Sequence, residues 1–133
     1  MTPSLPTVLI VDDEAPVRRV LERMLGREGY RVLSTGSAEA AYTLLDSESA
    51  DALLLDIHLP TMSGLALYLV IVHRWPALEG RIAIMTGDAD AAEVQSWLDH
   101  HRCMVLRKPF DLGEISAWLR TVLQVRQREL GNG

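Results

Sequence analysis

Ala52-Leu53-Leu54-Leu55-Asp56-Ile57-His58-Leu59-Pro60-Thr61-Met62-Ser63-Gly64 is the stretch on which the fold turns. A short apolar run stops at one carboxylate, Asp56, and Pro60 and Gly64 mark a turn just beyond it. The design recurs three times. Val8-Leu9-Ile10-Val11 ends in Asp12-Asp13, Ile82-Ala83-Ile84-Met85 ends in Thr86, and Cys103 to Leu106 ends in Arg107-Lys108-Pro109. Continuous apolar runs of this length fit strands covered on both faces, as in a parallel sheet. Neighbouring parallel strands would bring these polar ends together at one edge.

Helical periodicity fills the gaps between the runs. After Asp12-Asp13-Glu14, Pro16 suits a first helical turn, and Val17, Val20, Leu21, Met24 and Leu25 share one face opposite Arg18, Arg19, Glu22 and Arg23. Gly26 and Gly29 mark the end of that helix. A strand over Tyr30 to Ser34 follows, then a helix capped by Ser37 with Ala38, Ala41, Leu44 and Leu45 on one side. The third strand covers Asp51 to Asp56 and the fourth Arg81 to Met85. A helix carrying Ala91, Val94, Trp97 and Leu98 comes next. The fifth strand, Cys103 to Leu106, leads to a last helix capped by Asp111, with Ile115, Trp118, Leu119 and Val122 on one face. Five alternations with short links predict a doubly wound (βα)5 α/β fold of the flavodoxin-like kind: a five-stranded parallel sheet with helices on both faces. Right-handed crossovers place all strand C-termini on one edge, where open α/β sheets carry their sites.

One helix is unusual. Leu65 to Val72 carries no charge before His73-Arg74, and Pro76 and Gly80 end the segment. A helix lying on a sheet needs only about half its surface apolar. The sequence therefore leaves Leu67, Val70 and Ile71 open between a protein-interaction surface and deeper burial.

The 133 residues fit one domain, with a lead-in over 1–6, a folded body over 7–126 and a tail over 127–133. A 48% apolar and 23% charged composition is that of a soluble globular chain. A net charge of -5 argues against direct nucleic-acid binding, and a single cysteine, Cys103, excludes an internal disulfide and fits a reducing compartment. The first apolar run is too short for a signal or membrane segment, so the expected location is cytoplasmic, with no membrane partner.

Gathered at one sheet edge, Asp12, Asp13 and Asp56 would repel one another unless a cation sat among them. Oxygen-only donors suit a hard divalent ion such as Mg²⁺. Lys108 brings a movable positive charge and Thr86 a hydroxyl for an oxyanion. Such a group is suited to placing a phosphoryl group on the exposed carboxylate, Asp56.

From Thr7 to about Val125 the chain resembles the receiver domain of two-component response regulators. The match rests on Leu9-Ile10-Val11-Asp12-Asp13-Glu14, on Asp56 with Leu59-Pro60, Met62 and Gly64, on Met85-Thr86-Gly87, on Lys108-Pro109-Phe110, and on the spacing between them. The resemblance implies strand order 2-1-3-4-5. It implies phosphoryl transfer to Asp56 from a phosphohistidine on a sensor histidine kinase or phosphotransfer protein. It further implies Mg²⁺ on Asp13, Asp56 and the His58 backbone carbonyl, with Asp12 acting through water. Thr86 and Lys108 would hold the phosphoryl oxygens, and Lys108-Pro109 would be a cis bond. His58 and Asp88 border the site in this family and are candidates for tuning dephosphorylation. One departure stands out: Val105 occupies a position, three before the lysine, where the family often carries an aromatic. A Thr-aromatic switch is therefore not expected, and output would travel by backbone and helix shifts, to an effector or a second copy through the helices after Gly64 or Thr86.

On these grounds the chain reads as a phosphorylation switch rather than an enzyme, either stand-alone or part of a larger regulator such as a hybrid kinase. The main alternative is a pseudo-receiver that keeps the fold without phosphorylation. A flavodoxin-like nucleotide or flavin site would need a Gly-, Ser- or Thr-rich phosphate loop where Asp12-Asp13-Glu14 stands. An aspartyl phosphatase would place its nucleophile on the first strand and add a cap. His100-His101-x-Cys103 has the look of a metal cluster but lacks a second ligand pair, and reads as a helix end.

Overall fold

The computed structural model describes residues 5–123. Strands β1 (Thr7–Val11), β2 (Arg31–Thr35), β3 (Ala52–Asp56), β4 (Ile82–Thr86) and β5 (Met104–Arg107) alternate with helices α1 (Ala15–Arg27), α2 (Ala38–Ser47), α3 (Gly64–Arg74), α4 (Ala92–Leu98) and α5 (Leu112–Val122). A single 3-10 turn, Pro76–Leu78, follows α3. The five strands form one parallel sheet in the order β2-β1-β3-β4-β5. Among the described residues no helix is long and apolar enough to cross a membrane.

The uninterrupted apolar runs are explained by the two layers they feed. Val8, Ile10, Ala52, Leu54, Ala83 and Met85 point to one side, where Leu21 and Leu25 of α1 and Ile115 and Leu119 of α5 close over them. Leu9, Val11, Leu53 and Leu55 point to the other, against Ala41 and Leu45 of α2 and Leu67, Tyr68 and Ile71 of α3. Side chains alternate between faces along each strand, so every strand position in the sheet centre needs an apolar residue.

β2, β4 and β5 each begin and end one residue later than the sequence predicts, because polar residues at their ends still belong to the ladder. Thr86 pairs with Arg107, and the Lys108 amide donates to the Thr86 carbonyl at 2.8 Å. Pro6, within the expected lead-in, is buried, and its carbonyl accepts from Arg31 N–H at 2.9 Å. The expected tail over 127–133 lies outside the described residues. Gly26 does not end α1 but lies within it; the turn comes at Gly29, with φ +94°. Ser37 and Asp111 cap α2 and α5 as the sequence predicts, their side chains accepting from Ala40 N–H and from Gly113 and Glu114 N–H.

The ambiguity over α3 resolves by splitting the helix. Leu67 and Ile71 take the deeper-burial alternative: both pack against the β1–β3 face. Val70 does face out, together with Leu69. The sheet crosses beneath three helices on this side, and α3 is held from both flanks as well as from below, which needs a wider apolar arc than a single contact would.

Candidate functional site

At the carboxyl edge the register is level. Val11 pairs with Leu55, Asp56 with Met85 and Thr86 with Arg107, so the residues just beyond β1, β3, β4 and β5 emerge side by side. Each of the three central strands then turns in the same way. Asp12 Oδ1 accepts from Glu14 N–H at 2.8 Å, Asp56 Oδ1 from His58 N–H at 3.0 Å, and Thr86 Oγ1 from Asp88 N–H at 3.0 Å. In every case a side-chain oxygen binds the amide two residues on, the local bond that short polar side chains form at turns. The bond fixes one oxygen of each aspartate. The other, Oδ2, is left facing a common centre.

Lys108 occupies that centre. Its Nζ lies 2.9 Å from Asp12 Oδ2, 3.5 Å from Asp56 Oδ2 and 3.2 Å from Glu14 Oε2. Asp12 is 0% exposed and Asp56 2%, so Asp56 is buried rather than exposed as expected, whereas Asp13 is exposed at the rim. Asp12, Asp13 and Asp56 can place one oxygen each within 4.8 Å of one another. Thr86 is buried beside them, and the Lys108–Pro109 bond is cis.

The electrostatics follow from burial and crowding. Burial pushes the Asp56 carboxyl above the ordinary range; the His58 amide opposes this, Asp12 adds to it, Lys108 opposes it and Asp13 adds again. Burial pulls the Lys108 ammonium down, but Asp12, Asp56 and Glu14 together outweigh it and leave the ammonium raised. Lysine therefore stays charged and the carboxylates are only partly compensated. Asp12 Oδ2 lies close to Lys108 Nζ but off the alignment of a hydrogen bond, leaving a buried acceptor without one. Three carboxylates around a surplus acceptor fit a hard, oxygen-binding divalent cation.

Gly64 lets the turn after β3 close against the site. Its N–H donates to the Ile57 carbonyl at 2.7 Å, and a Cβ there would lie 2.0 Å from the Asp56 carbonyl oxygen. The turn leaves an open cleft of about 400 Å³ beside the carboxylates, lined by Asp13, Ile57, His58, Leu59, Pro60, Ser63 and Glu93. His58 is thus at the mouth of the site, and Asp88 is exposed one turn beyond Thr86. Val105 is half-buried against Ile57, Leu65, Ile84 and Val94.

Three participants escaped the sequence reading as site residues. Glu14 supplies the third carboxylate to Lys108. Arg18 donates through Nη1 to the Asp12 carbonyl at 2.6 Å, four residues after Glu14 and so one helical turn along the same face. Glu93 reaches the cleft from α4. The acidic run pointed to Glu14; nothing local singled out Arg18 or Glu93. His101 and Cys103 do not converge as a metal site: His101 stacks on Trp97 at 4.3 Å, and the Cys103 thiol, pushed up to about 12 by burial, donates to the Ile82 carbonyl.

Residues 8–120 match the family model of the response regulator receiver domain. The chain belongs to that family. Among curated relatives, the DNA-binding transcriptional regulator NtrC of Proteus hauseri is 34% identical over 126 residues, covering 94% of this chain and 26% of that protein. The chain spans less than half the length of the curated relatives it matches. Among solved structures, the signal receiver domain of an HD domain-containing protein from Pseudomonas fluorescens aligns with a TM-score of 0.84 and 26% identity, covering 97% of this chain and 94% of that one. Response regulator TrrA of Thermotoga maritima, solved with Mg²⁺-BeF, aligns at 0.77 and 25% identity, covering 90% of this chain and all of that one. The receiver reading and the strand order expected from it are both borne out. Receiver domains act as phosphorylation-dependent switches and bind Mg²⁺ at an acidic pocket, and this chain has such an acidic cluster.

Proposed function

We propose that this receiver takes a phosphoryl group onto Asp56 from a phosphohistidine donor and thereby switches its protein contacts. The observation that supports it most is Asp56 itself, a 2% exposed carboxylate with one oxygen fixed by His58 N–H and the other turned toward Lys108, Asp12 and the open cleft. In the transfer, the donor's P–N bond breaks as a P–O bond forms to an Asp56 carboxylate oxygen, and the imidazole leaves with its electron pair. Lys108 follows the charge from the free carboxylate to the phosphoryl oxygens, and the Thr86 hydroxyl donates to one of them. Asp12, Asp13 and Asp56, with the His58 backbone carbonyl, would hold Mg²⁺. When bound, that ion supplies charge neutralisation for the incoming phosphoryl oxygens.

The donor is a sensor histidine kinase or a phosphotransfer protein, since a receiver carries no phosphohistidine of its own. His58, at the cleft mouth, and Asp88, hydrogen-bonded through its amide to the Thr86 hydroxyl, tune how fast water reaches the phosphoryl group. With Val105 where an aromatic ring would otherwise swing, the output runs through shifts of the β4–α4 segment and its neighbours. The test is intact mass after incubation with Mg²⁺ and a small acyl-phosphate donor. The wild type gains one phosphoryl group and Asp56→Asn gains none. No gain in the wild type would favour a pseudo-receiver that uses the fold for binding alone.

A further inference from the structure

Of the three clustered aspartates, Asp13 differs from the others in how its side chain is held. Asp12 and Asp56 each have one oxygen fixed by the amide two residues on and the other turned to Lys108. The Asp13 carboxylate stands exposed at the rim and, among the described residues, takes no hydrogen bond or ion pair. Where it points is therefore set by the backbone that carries it.

That backbone is pinned on both sides. The peptide after Asp13 is held by Glu14 N–H, which donates to Asp12 Oδ1 at 2.8 Å. The peptide before it is held by its carbonyl, that of Asp12, which accepts from Arg18 Nη1 at 2.6 Å. Peptide units are rigid planes, so fixing the two that flank one Cα fixes its φ and ψ and the direction of its Cβ. Arg18 is half-buried near the start of α1, where its N–H donates to the Glu14 carbonyl at 3.1 Å. Helical side chains lean back toward the helix N-terminus, which for Arg18 is toward Asp12. Its guanidinium lies against Gly36, between β2 and α2: a Cβ there would sit 3.0 Å from Arg18 Nη1 and 3.6 Å from Asp13 Cα.

Charge does not explain this placement. Among the described residues the guanidinium bonds a neutral carbonyl and pairs with no carboxylate. A positive charge near a helix start opposes the helix dipole, and beside a metal site it repels the cation. What Arg18 supplies is a donor in a fixed, planar fork. We propose that Arg18 is a positioning residue of the metal site: by holding the Asp12 carbonyl it aims Asp13 at the point where Asp12 and Asp56 converge, and Gly36 leaves room for its guanidinium. The proposal rests on the reading of Asp13 as a Mg²⁺ ligand and adds the group that orients it. Groups that orient a ligand without touching the metal are commonly worth about 10–100-fold in metal affinity.

Titration calorimetry of the full chain with Mg²⁺ alone, each variant first checked for its fold by circular dichroism, tests this. Arg18→Met, which keeps the length but loses every donor, binds Mg²⁺ about tenfold more weakly than wild type. If charge were all that Arg18 supplied, the same substitution would tighten binding. Arg18→Lys, which keeps the charge and one donor group, falls between. Gly36→Ala crowds Nη1 and weakens binding on its own, yet adds nothing in Arg18→Met, because it acts through the guanidinium. Should Arg18→Met not fold, Arg18→Lys and Gly36→Ala decide, each being weaker than wild type. Arg18 variants that bind as tightly as wild type or tighter, or a Gly36→Ala effect that persists without the guanidinium, would overturn the proposal while Asp13→Asn still loses Mg²⁺. Equal affinity of wild type and Asp13→Asn would instead overturn the ligand reading on which it rests.

Discussion

A methyl group on Gly64 has nowhere to go. Its Cβ would lie 2.0 Å from the Asp56 carbonyl oxygen and 2.8 Å from Asp56 C and Ile57 Cα, where ordinary contact begins at 3.4 Å. The gap to the oxygen must open by about 1.4 Å, and all three obstacles are backbone, so no rotamer change absorbs it. Either α3 lifts, losing the 2.7 Å bond from Gly64 N–H to Ile57 O, or the end of β3 moves and carries Asp56 with it. Overpacking of this kind costs about 1–3 kcal/mol and the lost hydrogen bond about 1 kcal/mol more. The better helix propensity of alanine returns at most about 1 kcal/mol. Gly64→Ala should therefore destabilise the domain by about 2–3 kcal/mol, a large part of the roughly 5–15 kcal/mol typical of a domain. Gly26, inside α1 with nothing within 4 Å of its would-be Cβ, is the control: Gly26→Ala should stabilise by about 0.5–1 kcal/mol. Urea unfolding followed by circular dichroism reads both. The fraction of Gly64→Ala that stays folded should also take up phosphoryl more slowly, because Asp56 has moved. Opposite signs at the two glycines are the signature; a Gly64→Ala midpoint at or above wild type would refute the close-approach argument.

Four further outcomes follow from the cluster. Asp56 is a carboxyl whose folded pKa is raised, so the folded state favours its protonated form, and stability falls as pH rises from the unfolded carboxyl value of about 3.9 through the raised one. Asp56→Asn should thus be more stable than wild type at neutral pH, with the difference vanishing below that window; a pH-independent difference in urea midpoint would contradict this. Asp13→Asn, at the exposed rim, should lose Mg²⁺ affinity by titration calorimetry while the metal-free fold is as stable as wild type or more so, since a like charge is removed. Lys108→Ala leaves Asp12 and Asp56 uncompensated and should cost about 2 kcal/mol, less than the roughly 3–5 kcal/mol of a fully buried pair because the lysine is 20% exposed; added Mg²⁺ should restore part of it in thermal melts. His58→Ala should change the rate of phosphoryl loss measured by intact mass, and identical rates would remove His58 from the tuning role.

The fold was legible because its central strands are buried on both faces. Leu53-Leu54-Leu55 cannot alternate polar and apolar when α1 and α5 cover one side and α2 and α3 the other, and that lack of alternation is visible in one dimension. The clustering of Asp12, Asp13 and Asp56 was legible for the related reason that carboxylates end such runs abruptly. The exposure of α3 was not. Leu67, Val70 and Ile71 are equally apolar, and whether each is buried depends on how far α2 and α4 flank the helix, a property of the assembled layer. Nor could sequence give the role of Arg18, which reaches a backbone carbonyl rather than a complementary charge.

The same feature that made the strands readable also allows the site to exist. Asp12, Asp56 and Thr86 are buried polar groups at the ends of the most apolar segments in the chain. Unassisted, a buried carboxylate costs several kcal/mol, and two of them share one lysine. The local turns reduce that cost: one oxygen of each aspartate is satisfied by an amide two residues on, while the other stays turned to the shared centre. Had both oxygens of Asp56 been bonded to backbone, the carboxylate would be stable and inert. Had neither been, no bond would hold the carboxylate toward the shared centre. The level register of β1, β3 and β4 repeats a single two-residue turn at three adjacent strand ends, and Lys108 sits at the centre left between them, shared by the oxygens those turns leave unbonded.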